Sequence, residues 1–242
     1  AIGYAAMTTN TAGGTKNVAV GNYALDALTS GDNNVAVGHD ALTANTTASS
    51  NTAIGREAMK ITTTGDSNVA VGSQSLLDNT TGAANVAIGT SALENNTTAA
   101  NNTAVGTFAM IANTTGTANV AVGKDALQDN TTGDANTAIG YQALLEATTT
   151  HDNTAVGYYA LKNLTTGAGN VAVGKAALAN NQGSANIGVG FGALQANTTG
   201  TRNIAIGYTA YDGSDTENDN LAIGYAAMTT NTAGGTQNIA LG

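Results

Sequence analysis

The sequence contains no cysteine. That removes a disulfide framework, a thiol nucleophile and a thiolate metal site, and leaves redox chemistry silent about compartment. Charge is scarce as well: 10% of residues are charged, 7 basic against 16 acidic, for a net charge of -9. The sign argues against binding nucleic acid or an anionic membrane surface. No apolar run approaches the ~20 residues of a membrane-spanning helix. The two histidines, His39 and His151, fall at different phases of the pattern described next, and no Ser, His and Asp set can be assembled around either. They read as solvated loop residues, and the chain does not read as an enzyme.

What the sequence has instead is a phrase repeated from end to end. Fifteen glycines, from Gly3 to Gly242, close the motif apolar-small-apolar-Gly; of the fourteen intervals between them eleven are 17 residues long and the others 18, 16 and 18. This period is too short for a helical pair or a propeller blade and predicts a solenoid. Glycines this regular are no phosphate loop, which would occur once with Lys and Ser or Thr behind it. Residues 1–242 therefore read as a single continuous repeat domain without linkers. Residues 1–15 are identical to residues 222–236, so a super-repeat is expected, with further coils past both ends in the parent protein.

In Asn34-Val35-Ala36-Val37-Gly38 the alternation places Val35 and Val37 on one side and Ala36 on the other, a β-strand with two apolar faces. Three residues past each glycine comes an apolar pair, Ala24 and Leu25 or Ala41 and Leu42, which suits a second short wall folding back over the valines. A polar corner follows, fullest at Asn79-Thr80-Thr81-Gly82 and repeated at Asn113, Asn130 and Asn197, where Asn and Gly tolerate positive φ. Ala-Leu pairs are good helix formers, but the available stretch is about two turns and an isolated helix of that length is marginal. The expected fold is all-β: a parallel β-solenoid of about fourteen 17-residue coils with about two short strands each, one coil stacked on the next at ~4.8 Å.

On this reading the Val, Ile and Leu ladders form a thin core. The stripe Ala19, Ala36, Ala53, Ala70 and Ala87 is left as a second apolar face, expected to meet another chain. Asparagine introduces the strand at Asn17, Asn34, Asn51, Asn68, Asn85, Asn102, Asn119, Asn136, Asn153, Asn170, Asn186, Asn203, Asn220 and Asn238. These form a candidate structural ladder, amide to amide or amide to the next turn's backbone; a recurring turn former is the plainer alternative.

The phrases Asn51-Thr-Ala-Ile-Gly55, Asn136-Thr-Ala-Ile-Gly140 with Tyr141-Gln-Ala-Leu144, and Asn197-Thr-Thr-Gly200 resemble repeat regions of phage tail fibres and the head repeats of YadA-like trimeric autotransporter adhesins. The resemblance covers the whole chain. It implies a left-handed parallel β-roll, commonly a homotrimer, that is extracellular, non-enzymatic and used for attachment or as a shaft. The repeat here is longer than in the adhesin heads and carries the Ala-Leu insertion.

Nine of the ten aromatics stand one or two places after the motif glycine. They are densest at Tyr141, Tyr158, Tyr159, Phe191, Tyr208 and Tyr225, where ring faces could stack on a surface glycan or receptor, or simply pack between coils. Tyr211 follows close behind. One coil replaces the polar corner with Asp212, Asp215, Glu217 and Asp219. This oxygen-rich run suits Ca²⁺, but its spacing misses the EF-hand loop and a solvated acidic loop explains it better; no other cofactor is expected. Thr pairs such as Thr46 and Thr47, or Thr80 and Thr81, raise ice binding, but adjacent threonines in a strand face opposite ways and the segment reads as a turn; Asn45-Thr-Thr and Asn79-Thr-Thr are glycosylation sequons that turn chemistry already explains. The functional expectation is an extracellular fibre or adhesin segment. A filament subunit joined through open coil ends is the alternative.

Overall fold

The computed structural model describes residues 1–10, 12–213, 216–229 and 235–242. The chain divides into two compact units, Ala1–Asn119 and Val120–Gly242, and both are parallel β-solenoids. The first carries β1 (Val18–Val20), β2 (Val35–Val37), β3 (Thr52–Ile54), β4 (Val69–Val71), β5 (Val86–Ile88) and β6 (Thr103–Val105). The second carries β7 (Val120–Val122), β8 (Thr137–Ile139), β9 (Thr154–Val156), β10 (Val171–Val173), β11 (Ile187–Val189), β12 (Ile204–Ile206), β13 (Leu221–Ile223) and β14 (Ile239–Leu241). Within each unit every strand lies parallel to its sequence neighbour with like positions aligned, Val35 beside Thr52 and Ala36 beside Ala53. The 16-residue coil keeps this register, with Val171 beside Ile187, because the missing residue is absorbed at the corner around Gly183.

Each coil holds one three-residue strand, not two, and the described residues contain no helix. The Ala-Leu wall is built of turns whose backbone groups bond the adjacent coil: Leu25 N–H donates to Ala41 O at 3.0 Å and Leu42 N–H to Ala58 O at 3.0 Å. The wall is stacked like a sheet, but its leucines and the residues two places earlier adopt left-handed backbone, as at Leu42 (φ 51) and Asp40 (φ 56). A third left-handed residue precedes each strand asparagine, Asn33 (φ 58) or Ala84 (φ 56). The corner asparagines Asn79, Asn113, Asn130 and Asn197, expected to supply positive φ, do not.

The two strand faces are the reverse of the expectation. Ala19, Ala36, Ala53, Ala70 and Ala87 are fully or almost fully buried and meet the buried Ala-Leu pairs, so the alanine stripe lies inside the coil and is no interface. Val and Ile point outward: Ile54 and Ile88 are each 40% exposed. Internal width sets this orientation. A 17-residue coil leaves room between its walls for a methyl group opposite a leucine, and a β-branched side chain there would overpack the core.

The motif glycine is dictated by contact between coils. At Gly38 φ is +145°, and a Cβ there would stand 2.2 Å from the carbonyl oxygen of Gly55.

Candidate functional site

Two ladders of buried asparagine hold the coils in register. In the first, each strand asparagine bridges three coil segments. Asn51 Oδ1 accepts from the Asn68 N–H at 2.8 Å, and Asn51 Nδ2 donates to Gly65 O at 2.9 Å. The pattern repeats at Asn34, Asn68 and Asn85, and again in the second unit at Asn170, Asn186 and Asn203. All these amides are buried, so each supplies a donor and an acceptor to backbone groups that water cannot reach.

Sequence reasoning missed the second ladder, which it took for surface turns. Asn96 Nδ2 donates to Asn79 Oδ1 at 2.9 Å and to Ala99 O at 3.1 Å, and Asn113 Nδ2 donates to Asn96 Oδ1 at 3.0 Å. The signal was present but divided, because Leu28, Thr62, Ala147 and Leu164 hold the same position in other coils and all are buried. Because the amides of Asn45 and Asn79 are spent inside the coil, the folded chain offers their sequons no free nitrogen to glycosylate. The first threonine of each pair is committed too: Thr63 Oγ1 donates to Thr80 O at 3.1 Å and Thr80 Oγ1 to Thr97 O at 2.9 Å.

The surface offers two ladders of its own. One is the outward Val and Ile row of the strands, where Thr52, Thr103, Thr137 and Thr154 are the only polar interruptions and no residue is charged. The other lies at the place after the motif glycine, which in seven consecutive coils of the second unit reads Lys124, Tyr141, Tyr158, Lys175, Phe191, Tyr208 and Tyr225. Inter-coil backbone bonds fix its spacing, from Ala176 N–H to Tyr158 O at 2.8 Å and from Thr209 N–H to Phe191 O at 2.8 Å.

Stacking leaves the rings edge-on to solvent. Tyr141 and Tyr158 are 5.4 Å apart with 16° between planes, Phe191 and Tyr208 5.0 Å with 9°, and Tyr208 and Tyr225 5.4 Å with 8°. Most ring faces are thus taken by neighbouring rings, which closes them to the stacked sugar considered from the sequence. Tyr159 joins the group at 3.9 Å from Tyr158, whose phenol titrates above its usual range chiefly through its hydrogen bond to Tyr159. Lysines cover further faces, while Tyr225, at the end of the row, is 76% exposed. Lys175 Nζ lies 5.5 Å from the Tyr158 ring and 5.6 Å from Phe191, Lys162 4.7 Å from Tyr159, and Lys124 5.6 Å from Tyr141. Tyr211 is not on this edge. It is fully buried in a leucine position, and Asn220 Nδ2 donates to its hydroxyl at 2.6 Å.

The acidic run does not converge. Burial pushes the Asp212 carboxyl up, and Glu217 is buried. Asp219 is held by Arg202, Nε to Oδ1 at 2.6 Å and Nη2 to Oδ2 at 2.8 Å. Asp215 lies outside the described residues. Among the described residues no three His, Cys, Asp or Glu side chains gather as metal ligands would, and no pocket opens. His39 and His151 are exposed beside Asp40 and Asp152. No protein-family model matches the chain, and no curated protein matches it.

Proposed function

We propose that this chain is a structural segment of an extracellular fibre or adhesin, assembled with further copies of itself, and that its work is reach, rigidity and presentation. The observation that carries this reading is the outward Val and Ile ladder. Taking ~100 Å² for a fully open Val or Ile side chain and roughly a third of it open at two positions per strand, the eight strands of the second unit expose on the order of 500 Å². That lies within the roughly 300–600 Å² of an ordinary monomer's largest patch, which is often a binding surface, and would form the apolar centre rather than the whole of a standard interface of ~800 Å² per partner.

A second copy of the chain is the occupant that fits. The row is uncharged and repeats at the coil spacing, and a partner with the same spacing meets it tooth for tooth. A trimer is the form that the resemblance to adhesin heads and tail fibres favours. Homotrimer, extracellular location and attachment all belong to this proposal.

Electron microscopy of the full-length protein tests it. Discrete particles of one length are expected. Filaments lengthening with protein concentration would replace the reading with that of a polymerising subunit, and single unassociated chains would remove it.

A further inference from the structure

We propose that the lysine and tyrosine ladder of the second unit is a binding strip for a linear acidic polysaccharide, one carrying carboxylate or sulfate groups along its length. This deepens the reading of the chain as an attachment segment and rests on that reading only for where such a polymer would be met.

The strip is chemically one-sided. Aromatic rings carry negative faces and positive edges. Here, Tyr225 apart, the faces are occupied by other rings and by ammonium groups, so solvent meets mainly the positive edges, the phenol hydroxyls and Lys124, Lys162 and Lys175. Three of the chain's seven cations stand on this one strip, in a protein whose net charge is -9. Lys124 is paired with Asp125 at 3.2 Å. Among the described residues neither Lys162 nor Lys175 has a carboxylate partner. The ring contacts hold these two ammonium groups without neutralising them.

The shape selects the polymer. One side chain per coil at ~4.8 Å steps, flanked by Tyr159 and Lys162 in one coil, makes a narrow track, suited to an extended chain. A neutral glycan would need open ring faces to stack upon. A single-stranded nucleic acid would need them too. A bilayer surface needs a broad basic area, which a single row does not supply.

The test is a calorimetric titration of the whole protein at low salt with four probes: oligogalacturonate, a heparin oligosaccharide, dextran and oligothymidylate. The same titrations are run on Lys162→Ala/Lys175→Ala, and on Lys16→Ala, which removes an exposed cation of the first unit. Circular dichroism and melting temperature establish that the variants remain folded. Binding of either acidic oligosaccharide, weakened about ten-fold or more in the double variant and unchanged in Lys16→Ala, is the expected result; which of the two binds tells carboxylate from sulfate. Four results would overturn the proposal: no acidic glycan bound, dextran bound as well as they are, oligothymidylate bound more tightly, or the double variant binding like the unaltered protein. None of these bears on self-association, so the fibre reading stands or falls separately.

Discussion

Asn51 Oδ1 sits 2.8 Å from the backbone nitrogen of Asn68, one coil further on, and both side chains are fully buried. A short polar side chain is thereby doing the work of a strand: it continues the inter-coil ladder at the point where the backbone turns into β4. Coil stacking depends on this contact as much as on apolar burial.

Replacing Asn68 with alanine should therefore be severe. It strips the Asn85 N–H of its acceptor and removes one of the two donors to the Gly82 carbonyl, which keeps Asn79 Nδ2 at 3.0 Å. One buried N–H left unpaired costs about 1–3 kcal/mol. Denaturant unfolding measures the loss, and Thr81→Ala, at an exposed position, serves as the comparison that should change little.

The corner ladder should be more forgiving. Leucine already occupies its position at Leu28 and Leu164, so the coil accommodates that shape. Asn96→Leu takes one acceptor from Asn113 and the donor from Asn79 Oδ1, but Asn113 Nδ2 keeps its bond to Gly116 O at 3.1 Å and, among the described residues, the fold already leaves the same oxygen unbonded at Asn197. A loss below about 2 kcal/mol is expected, clearly smaller than at Asn68, and the same unfolding experiment ranks the two.

Backbone conformation makes a prediction of opposite signs. Gly38→Ala would drive a Cβ against the Gly55 carbonyl at φ +145°, with an expected loss of at least about 2 kcal/mol. Ala84, exposed at φ 56, already bears the left-handed penalty. Ala84→Gly should stabilise by up to about 1 kcal/mol after glycine's own entropy is counted. Melting temperatures moving in the same direction for both variants would contradict the backbone geometry.

The Arg202 and Asp219 pair predicts a pH dependence. Its hydrogen bonds and charge hold the Asp219 carboxyl below its ordinary value of 3.8. A depressed carboxylate contributes stability that is complete above that ordinary value and is lost as pH falls through the lower, folded one. The pair is exposed, so the contribution is small. Asp219→Asn should melt slightly below the unaltered protein at neutral pH, and the difference should vanish in strong acid; a gap that persists there would implicate some other contact.

Periodicity made the stacking, the register and the all-β class legible, because a 17-residue repeat ending in glycine leaves few other ways to satisfy the backbone. Which strand face points inward was not legible. Both faces of Val35-Ala36-Val37 are apolar, and the bulkier valines read as the core while the small alanine reads as a surface for another chain; Asn34 shares the alanine's side. The structure buries both, since Asn34 finds partners for its amide at Asn51 N–H and Ala48 O. Tyr211 misled for a related reason: spacing alone could not show that its hydroxyl meets Asn220 inside the coil. The lysine and aromatic row could be read residue by residue, but the near-parallel stacking that turns its rings edge-on emerges only from the spacing between coils.

The mass in solution of the 23.7 kDa chain, read by light scattering at micromolar concentration, bears most directly on the proposal that the outward Val and Ile ladder joins copies together. A multiple of the chain mass is predicted, a trimer being the favoured form, falling to one chain without loss of β-structure when Ile54, Ile88, Ile139 and Ile206 are changed to glutamate. An unaltered protein that elutes at the mass of a single chain would contradict it.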